Sequence, residues 1–113
     1  MHELSVTISI LKICQEEKRI RGFKRVNEIR IKEGELTGLV PNCINYYFKI
    51  IAKGTECEGA KIIIDKVPLK IKCMECLFTG EVNKNTYVCP KCNSNKIKIL
   101  NGKEFYIDSM EVD

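Results

Sequence analysis

Four cysteines occur in two identical Cys-x-x-Cys hooks, Cys73 with Cys76 and Cys89 with Cys92. Such a segment turns tightly enough for both of its sulfur atoms to reach one metal ion. Twelve residues separate the hooks, so the chain can fold back and supply the tetrahedral four-sulfur shell that zinc prefers. Because a closed shell leaves no coordination position for water, the predicted role of this zinc ion is structural rather than hydrolytic.

The amino terminus carries a second set of potential ligands. It begins Met1-His2-Glu3, and His2 is the single histidine of the chain. The α-amine of Met1, the backbone nitrogen of His2 and its imidazole can close adjacent chelate rings, and the backbone nitrogen of Glu3 can complete four nitrogens. A planar set of nitrogens suits Ni(II) or Cu(II). The residue types therefore allow a nickel or copper site here without by themselves requiring one.

The remaining cysteines have no such pattern. Cys14 falls on the apolar side of a predicted helix and is expected to be a small core residue. Cys43 and Cys57 lack a partner at hook spacing, and we predict no role for them. An odd count of seven cysteines argues against a disulfide framework, and the amino terminus lacks the features of a signal peptide. We therefore expect a cytoplasmic protein in a reducing compartment.

The elements that must position these residues follow from the hydrophobic pattern. Helices are predicted over 4–21 and 41–54, and strands over 26–32, 60–67 and 104–112. The first helix is expected to bury a face at helical spacing that consists of Leu4, Ile8, Leu11 and Cys14. The second helix is expected to bury Ile44, Tyr47, Phe48 and Ile51. Within the cysteine segment, short extended pieces are predicted at 69–72, 86–88 and 96–100.

This order of elements predicts an α+β fold. It consists of a small sheet of about three strands with two helices, plus an inserted zinc-ribbon-like metal lobe. Residues 1–67 together with 103–113 form the predicted α/β domain, and residues 68–102 form the predicted zinc-binding domain. A segment of this length cannot bury a core of its own, so zinc would contribute on the order of 10 kcal/mol to its folding.

Charge and composition leave an alternative open. From Lys66 to Lys103 there are eight lysines against Glu75 and Glu81, so this segment carries +6 of a chain with net charge +4. A basic zinc ribbon could bind nucleic acid or act as an adaptor for an acidic protein. The segment has no arginine and only two aromatic residues, so nucleic-acid binding is not the favoured interpretation. No apolar run approaches the ~20 residues of a membrane span.

The whole sequence resembles the HypA (HypA/HybF) family. The resemblance is carried by Met1-His2-Glu3 before an amphipathic helix, Glu58-Gly59-Ala60 before a strand, the two hooks, and Gly102 before a terminal strand. Members of this family are nickel-insertion accessory proteins for nickel–iron hydrogenase and, in some organisms, for urease. The resemblance implies a nickel metallochaperone rather than an enzyme, and it leaves the client open between hydrogenase and urease.

The resemblance also implies the ligands and partners. Met1, His2 and Glu3 would bind nickel, which makes the α/β domain the nickel-binding domain, and Cys73, Cys76, Cys89 and Cys92 would hold structural zinc. The implied partners are a HypB-type GTPase and the hydrogenase large subunit, with no membrane and with the chain as a monomer or homodimer. Some relatives carry an acidic nickel ligand near the second helix, where this chain has Val40-Pro41-Asn42, and some carry a histidine beside a zinc hook that is absent here.

Overall fold

The computed structural model of the chain describes residues 2–83, 85 and 87–113. Its two helices are α1 (Glu3–Arg21) and α2 (Pro41–Ile51), and a short 3-10 turn covers Glu35–Thr37. The described strands are β1 (Val26–Gly34), β2 (Lys61–Val67), β3 (Lys70–Cys73), β4 (Thr79–Glu81), β5 (Ile97–Asn101) and β6 (Phe105–Val112). These elements confirm the predicted α+β class. None of the described helices is both long and apolar enough to cross a membrane.

The predicted elements match the structure with two differences within the cysteine segment. Strand β4 was not predicted. The predicted extended piece at 86–88 is not a strand at Tyr87 and Val88, while Thr86 lies outside the described residues. The predicted end of the first helix and start of the second are confirmed. Gly22 ends α1 in the left-handed conformation (φ 76°), and Pro41 occupies the first turn of α2.

The chain forms two compact units. The first comprises Met1–Ile31, Gly38–Ile64 and Ile107–Asp113, and the second comprises Lys32–Thr37 and Asp65–Tyr106. The boundaries between the units therefore fall inside β1, β2 and β6. The division predicted from the sequence places residues 68–102 in a separate zinc-binding domain. This division stays a prediction.

One three-stranded sheet has the order β2-β1-β6. The N–H of Lys24 donates to the carbonyl of Asp113 over 2.8 Å, and the N–H of Gly34 donates to the carbonyl of Glu104 over 2.7 Å. These bonds join the start of β1 to the end of β6 and the end of β1 to the start of β6, so the two strands run antiparallel. The final strand therefore belongs to the same sheet as the first two strands and pairs with β1.

The buried face of α1 differs from the prediction. Leu4 and Ile8 are 46% and 39% exposed, whereas the buried positions of this helix are Glu3, Thr7, Ile10 and Cys14. The prediction was therefore right for Cys14, right in part for Leu11, which is half-buried, and wrong for Leu4 and Ile8. Leu4 and Ile8 each follow a buried residue by one position, which turns them about 100° around the helix axis from the buried face. Burial of the polar residues is tolerated because both are hydrogen-bonded, Thr7 to the carbonyl of Leu4 at 2.7 Å and Glu3 as described below.

Helix α2 buries the face predicted for it. Ile44 and Phe48 are buried, while Tyr47 and Ile51 are half-buried. The core of the first unit combines residues of both helices, the adjoining turn and the sheet: Ile10, Cys14, Val26, Ile29, Ile31, Ile44, Phe48, Ala52, Cys57 and Ile62.

The second unit contains the other sheet, in the order β4-β3-β5, with both strand pairs antiparallel. Its buried apolar residues are Leu69, Ile71, Cys73 and Cys89. Because this core is small, the thiols form a large part of the interior of the second unit. Any ion that they bind therefore contributes to the folding of that unit.

Candidate metal centres

The first hook begins where β3 ends. The N–H groups of Glu75 and Cys76 both donate to Cys73 Sγ, each over 3.4 Å. The N–H of Leu77 donates to the Cys73 carbonyl over 3.1 Å, and Leu77 adopts a left-handed φ of 67° to close the turn. Hydrogen bonds from Cys76 and Glu75 favour the thiolate and lower the pKa of Cys73 to about 6. The backbone therefore stabilises the form of Cys73 that binds metal.

The second hook repeats this geometry. The N–H groups of Lys91 and Cys92 donate to Cys89 Sγ over 3.4 and 3.5 Å. The N–H of Asn93 donates to the Cys89 carbonyl over 2.8 Å, and Asn93 has a φ of 64°. The two segments are thus structural equivalents, with a buried first cysteine and an exposed second cysteine in each.

The two hooks bring their sulfur atoms together. All four Sγ atoms of Cys73, Cys76, Cys89 and Cys92 lie within 4.8 Å of one another. The first cysteine of each hook lies beside the second cysteine of the other, with Sγ–Sγ distances of 3.6 Å for both Cys73–Cys92 and Cys76–Cys89. A tetrahedral shell with zinc–sulfur bonds of about 2.3 Å requires sulfur atoms about 3.8 Å apart. The thiols therefore fit a four-sulfur metal centre in number, chemistry and spacing.

His2 lies at the other candidate site, as the N-cap residue of α1. It is exposed, and its side chain makes no capping hydrogen bond. Its carbonyl accepts the N–H of Val6 at 3.0 Å and the hydroxyl of Ser5 at 2.9 Å, which ties His2 to the first turn. The first N–H groups of an α-helix have no acceptor within the helix. The backbone nitrogens of His2 and Glu3 can therefore bind a metal without breaking a helical hydrogen bond. The predicted ligand Met1 lies outside the described residues.

The side chain of Glu3 has a role that the sequence did not indicate. It is only 5% exposed, and its Oε2 accepts the backbone N–H of Val40 at 3.0 Å. Val40 is the N-cap residue of α2, so this bond joins the starts of the two helices. The carboxylate is therefore engaged in structure, which leaves the backbone nitrogen of Glu3 as its predicted contribution to metal binding.

We expect Glu3→Ala to destabilise the first unit. The change leaves the N–H of Val40 without its acceptor in a partly buried hydrogen bond, and loss of one partner of such a bond costs about 1–3 kcal/mol. Urea denaturation followed by circular dichroism measures the free energy of unfolding. Glu16→Ala is the matched control, because Glu16 lies on the exposed side of the same helix and its ion-pair partner among the described residues is the exposed Arg19. Equal destabilisation by the two changes would show that the Glu3–Val40 bond contributes nothing.

The other cysteines lie in the first unit. Cys14 is fully buried, which confirms its prediction as a core residue. Cys57 is fully buried as well, a position that the sequence did not indicate. Cys43 is half-buried. None of the three takes part in the four-cysteine centre.

The fold and the thiol cluster define a small α+β metal-binding protein. The sequence model of a family described as "Hydrogenase/urease nickel incorporation, metallochaperone, hypA" matches residues 1–112. Hydrogenase maturation factor HypA of Lawsonia intracellularis is 38% identical over 118 residues, with 100% of both chains covered. That of Methanocaldococcus jannaschii is 38% identical over 121 residues, covering 100% of this chain and 98% of its own.

Solved structures agree with this match. The solution structure of the Ni metallochaperone HypA from Helicobacter pylori shares the fold, with a TM-score of 0.69 at 24% identity over 99% of this chain and 97% of that one. The chain belongs to the HypA family. It is therefore a nickel metallochaperone of hydrogenase maturation, as the sequence resemblance implied. No comparison favours the alternative of a nucleic-acid-binding or adaptor zinc ribbon.

Proposed function

We propose that the chain carries Ni(II) as cargo at its amino terminus. The proposed ligands are the Met1 amine, the backbone nitrogen and imidazole of His2, and the backbone nitrogen of Glu3. The observation that carries this proposal is the exposed position of His2 at the start of α1, where helical geometry leaves the backbone nitrogens without acceptors. Four nitrogen ligands match the tetragonal preference of Ni(II).

We further propose that Cys73, Cys76, Cys89 and Cys92 hold Zn(II) as a structural ion. The support is the convergence of their sulfur atoms at tetrahedral spacing and the N–H donors aimed at Cys73 and Cys89. A shell of four sulfurs has no open position for substrate or water. This zinc ion therefore maintains the second unit and performs no catalysis, so the chain acts as a carrier rather than an enzyme.

The exposed nickel site supports delivery by ligand exchange. An incoming ligand can reach a metal held at an open terminus, whereas a buried cage would retain it. We propose that the chain works in the cytoplasm with a HypB-type GTPase and passes nickel to the large subunit of nickel–iron hydrogenase, with urease as a second client. Leu4 and Ile8 support docking of the GTPase at the start of α1, because both are exposed apolar residues close to His2.

Nickel titration tests this proposal when the Met1 amine is free in one protein and acetylated in the other. We expect one nickel ion per chain for the free terminus, measured by calorimetry and absorption with zinc already bound. Acetylation removes the basic lone pair of the terminal nitrogen that closes the first chelate ring, so we expect the acetylated protein to lose this binding while it retains its zinc. Unchanged nickel affinity in the acetylated protein would place the nickel ligands elsewhere.

A further inference from the structure

Strand β5 of the second unit has an unpaired edge. It lies at one end of the sheet order β4-β3-β5, so among the described residues it pairs with β3 alone. Just beyond this pair, the N–H of Met74 donates to the carbonyl of Lys96 over 2.9 Å. Because hydrogen-bonded residues alternate along an antiparallel ladder, Lys98 is the next residue bonded to β3. The N–H and carbonyl groups of Ile97 and Ile99 therefore point away from β3 and can pair with an added strand.

The solvent-facing side of this sheet carries uncompensated positive charge. Lys72 and Lys98 are exposed and lie directly opposite each other across the β3–β5 pair. On its other side, Lys72 lies opposite Thr79 rather than an acid. Neither lysine forms an ion pair with any residue that the structure describes. Like charges at opposed positions destabilise a sheet, so a bound carboxylate would relieve this repulsion.

A groove beside β5 adds apolar contact to this edge. Its volume is about 350 Å³, and it is lined by Ile99, Leu100, Asn101, Lys103 and Glu104. The side chain of Leu100 is 45% exposed, and Ile99 is half-buried. A strand laid along this edge can therefore bury apolar surface of both residues in addition to forming backbone hydrogen bonds.

The charge of the edge restricts what can occupy it. A second copy of β5 would place lysines against lysines, which is one way in which edge strands avoid pairing with themselves. Nucleic acid would meet neither an arginine nor an aromatic residue on β3 or β5. An extended acidic segment of a protein suits the unpaired backbone groups, the lysines and the groove together.

We propose that the β5 edge binds an extended acidic segment of a partner protein by β-strand addition. Backbone hydrogen bonds to Ile97 and Ile99 supply affinity, and carboxylates that neutralise Lys98 and neighbouring Lys72 supply specificity. Apolar residues alternate with the carboxylates in such a segment, because successive side chains of a strand point to opposite faces of the sheet. This surface belongs to the second unit, so it can be altered without changing the proposed nickel ligands.

Peptide titration of the zinc-loaded full chain tests this surface. The probe is a short fluorescent peptide of alternating glutamate and valine, and its binding is followed by anisotropy. We expect binding that weakens as salt is added. Affinity should fall about tenfold when Lys72→Gln and Lys98→Gln are combined, since two exposed ion pairs are worth about that factor. Lys53→Gln is the matched control, because it removes an exposed lysine of the first unit and should bind as the wild type does.

Two further measurements test the backbone pairing. A second peptide, N-methylated at every residue, keeps the carboxylates and loses all of its backbone donors, so we expect it not to bind. Amide hydrogen exchange, measured by NMR on the wild type, should show protection of Ile97 and Ile99 when the first peptide binds. The amide of Lys98 should change little, because it is already bonded to β3.

Several results would overturn the proposal. Equal binding of the two peptides, or unchanged exchange at Ile97 and Ile99, would exclude strand addition. Unchanged affinity in the lysine double variant would exclude the charge contacts, and absence of peptide binding at low salt would exclude both. Tighter binding of a single-stranded oligonucleotide of equal charge would assign the surface to nucleic acid. Zinc content and thermal unfolding show whether the double variant is folded, and if it is not, the exchange measurement on the wild type decides.

Discussion

Replacing Cys73 with serine is expected to release the ion from the four-cysteine centre and to unfold the hooks of the second unit. Structural zinc contributes on the order of 10 kcal/mol to the folding of small metal-bound segments. That contribution is comparable with the entire stability of a typical domain, about 5–15 kcal/mol. The apolar core of the second unit is small, so burial of its few aliphatic residues cannot replace the metal.

Cys73 is one of the two buried cysteines of the centre, where replacement by serine should have the largest effect. Its side chain is fully buried, and its sulfur accepts the N–H groups of Glu75 and Cys76. A serine hydroxyl is a harder and much weaker zinc ligand than a thiolate. Zinc content can be measured with a chromophoric chelator, and unfolding of the second unit can be measured by limited proteolysis within residues 74–100.

The control for this experiment is Cys43→Ser, which replaces a half-buried cysteine of the first unit that lies outside the thiol cluster. We expect this variant to retain its zinc and its resistance to protease. Full zinc occupancy and unchanged protease resistance in Cys73→Ser would contradict the structural role of the centre. Serine at Cys89 should reproduce the loss, because Cys89 is the equivalent buried residue of the second hook.

The second large effect is expected for His2→Ala, which should abolish stoichiometric nickel binding. The imidazole is the only side-chain nitrogen in the proposed ligand set, and its loss removes one of the adjacent chelate rings. The fold should not change, because His2 is exposed and its side chain makes no capping hydrogen bond. Zinc should be retained, since none of the four thiols is altered.

Calorimetry of nickel binding to the zinc-loaded variant measures this effect, with circular dichroism as the check on the fold. Asn42→Ala is the matched control, because Asn42 lies in the segment where some relatives carry an acidic ligand. We expect this control to bind nickel like the wild type, since an amide oxygen is a weak nickel ligand. Retained nickel affinity in His2→Ala would refute the amino-terminal site. A loss of nickel affinity in Asn42→Ala would identify Asn42 as a further nickel ligand.

Local patterns predicted much of the structure because their causes are local. A Cys-x-x-Cys hook closes through hydrogen bonds within a few residues, as at Cys73, so its spacing alone predicted the turn. Gly22 and Pro41 mark helix boundaries through their own backbone preferences. Strand β4 was missed because Thr79–Glu81 is short and has no apolar alternation, and it forms only by pairing with β3.

The prediction from periodicity misplaced the buried face of α1 because it rests on apolar side chains alone. Polar side chains can also be buried when they form hydrogen bonds in the interior. Glu3 is buried because its carboxylate accepts the N–H of Val40, a residue 37 positions away. Once Glu3, Thr7 and Cys14 face the interior, Leu4 and Ile8 must face solvent. The sequence of residues 3–21 alone therefore does not indicate which side of α1 is buried.

The sequence by itself determined the two Cys-x-x-Cys hooks, the two helices, the main strands and the family, since each follows from residue types and short spacings. Only the tertiary structure decided that the Glu3 carboxylate joins two helices, that Leu4 and Ile8 are exposed, and that Cys14 contacts Met110. The physical reason is that burial and hydrogen-bond satisfaction depend on segments far apart in the chain. Their contacts form only when the whole core packs.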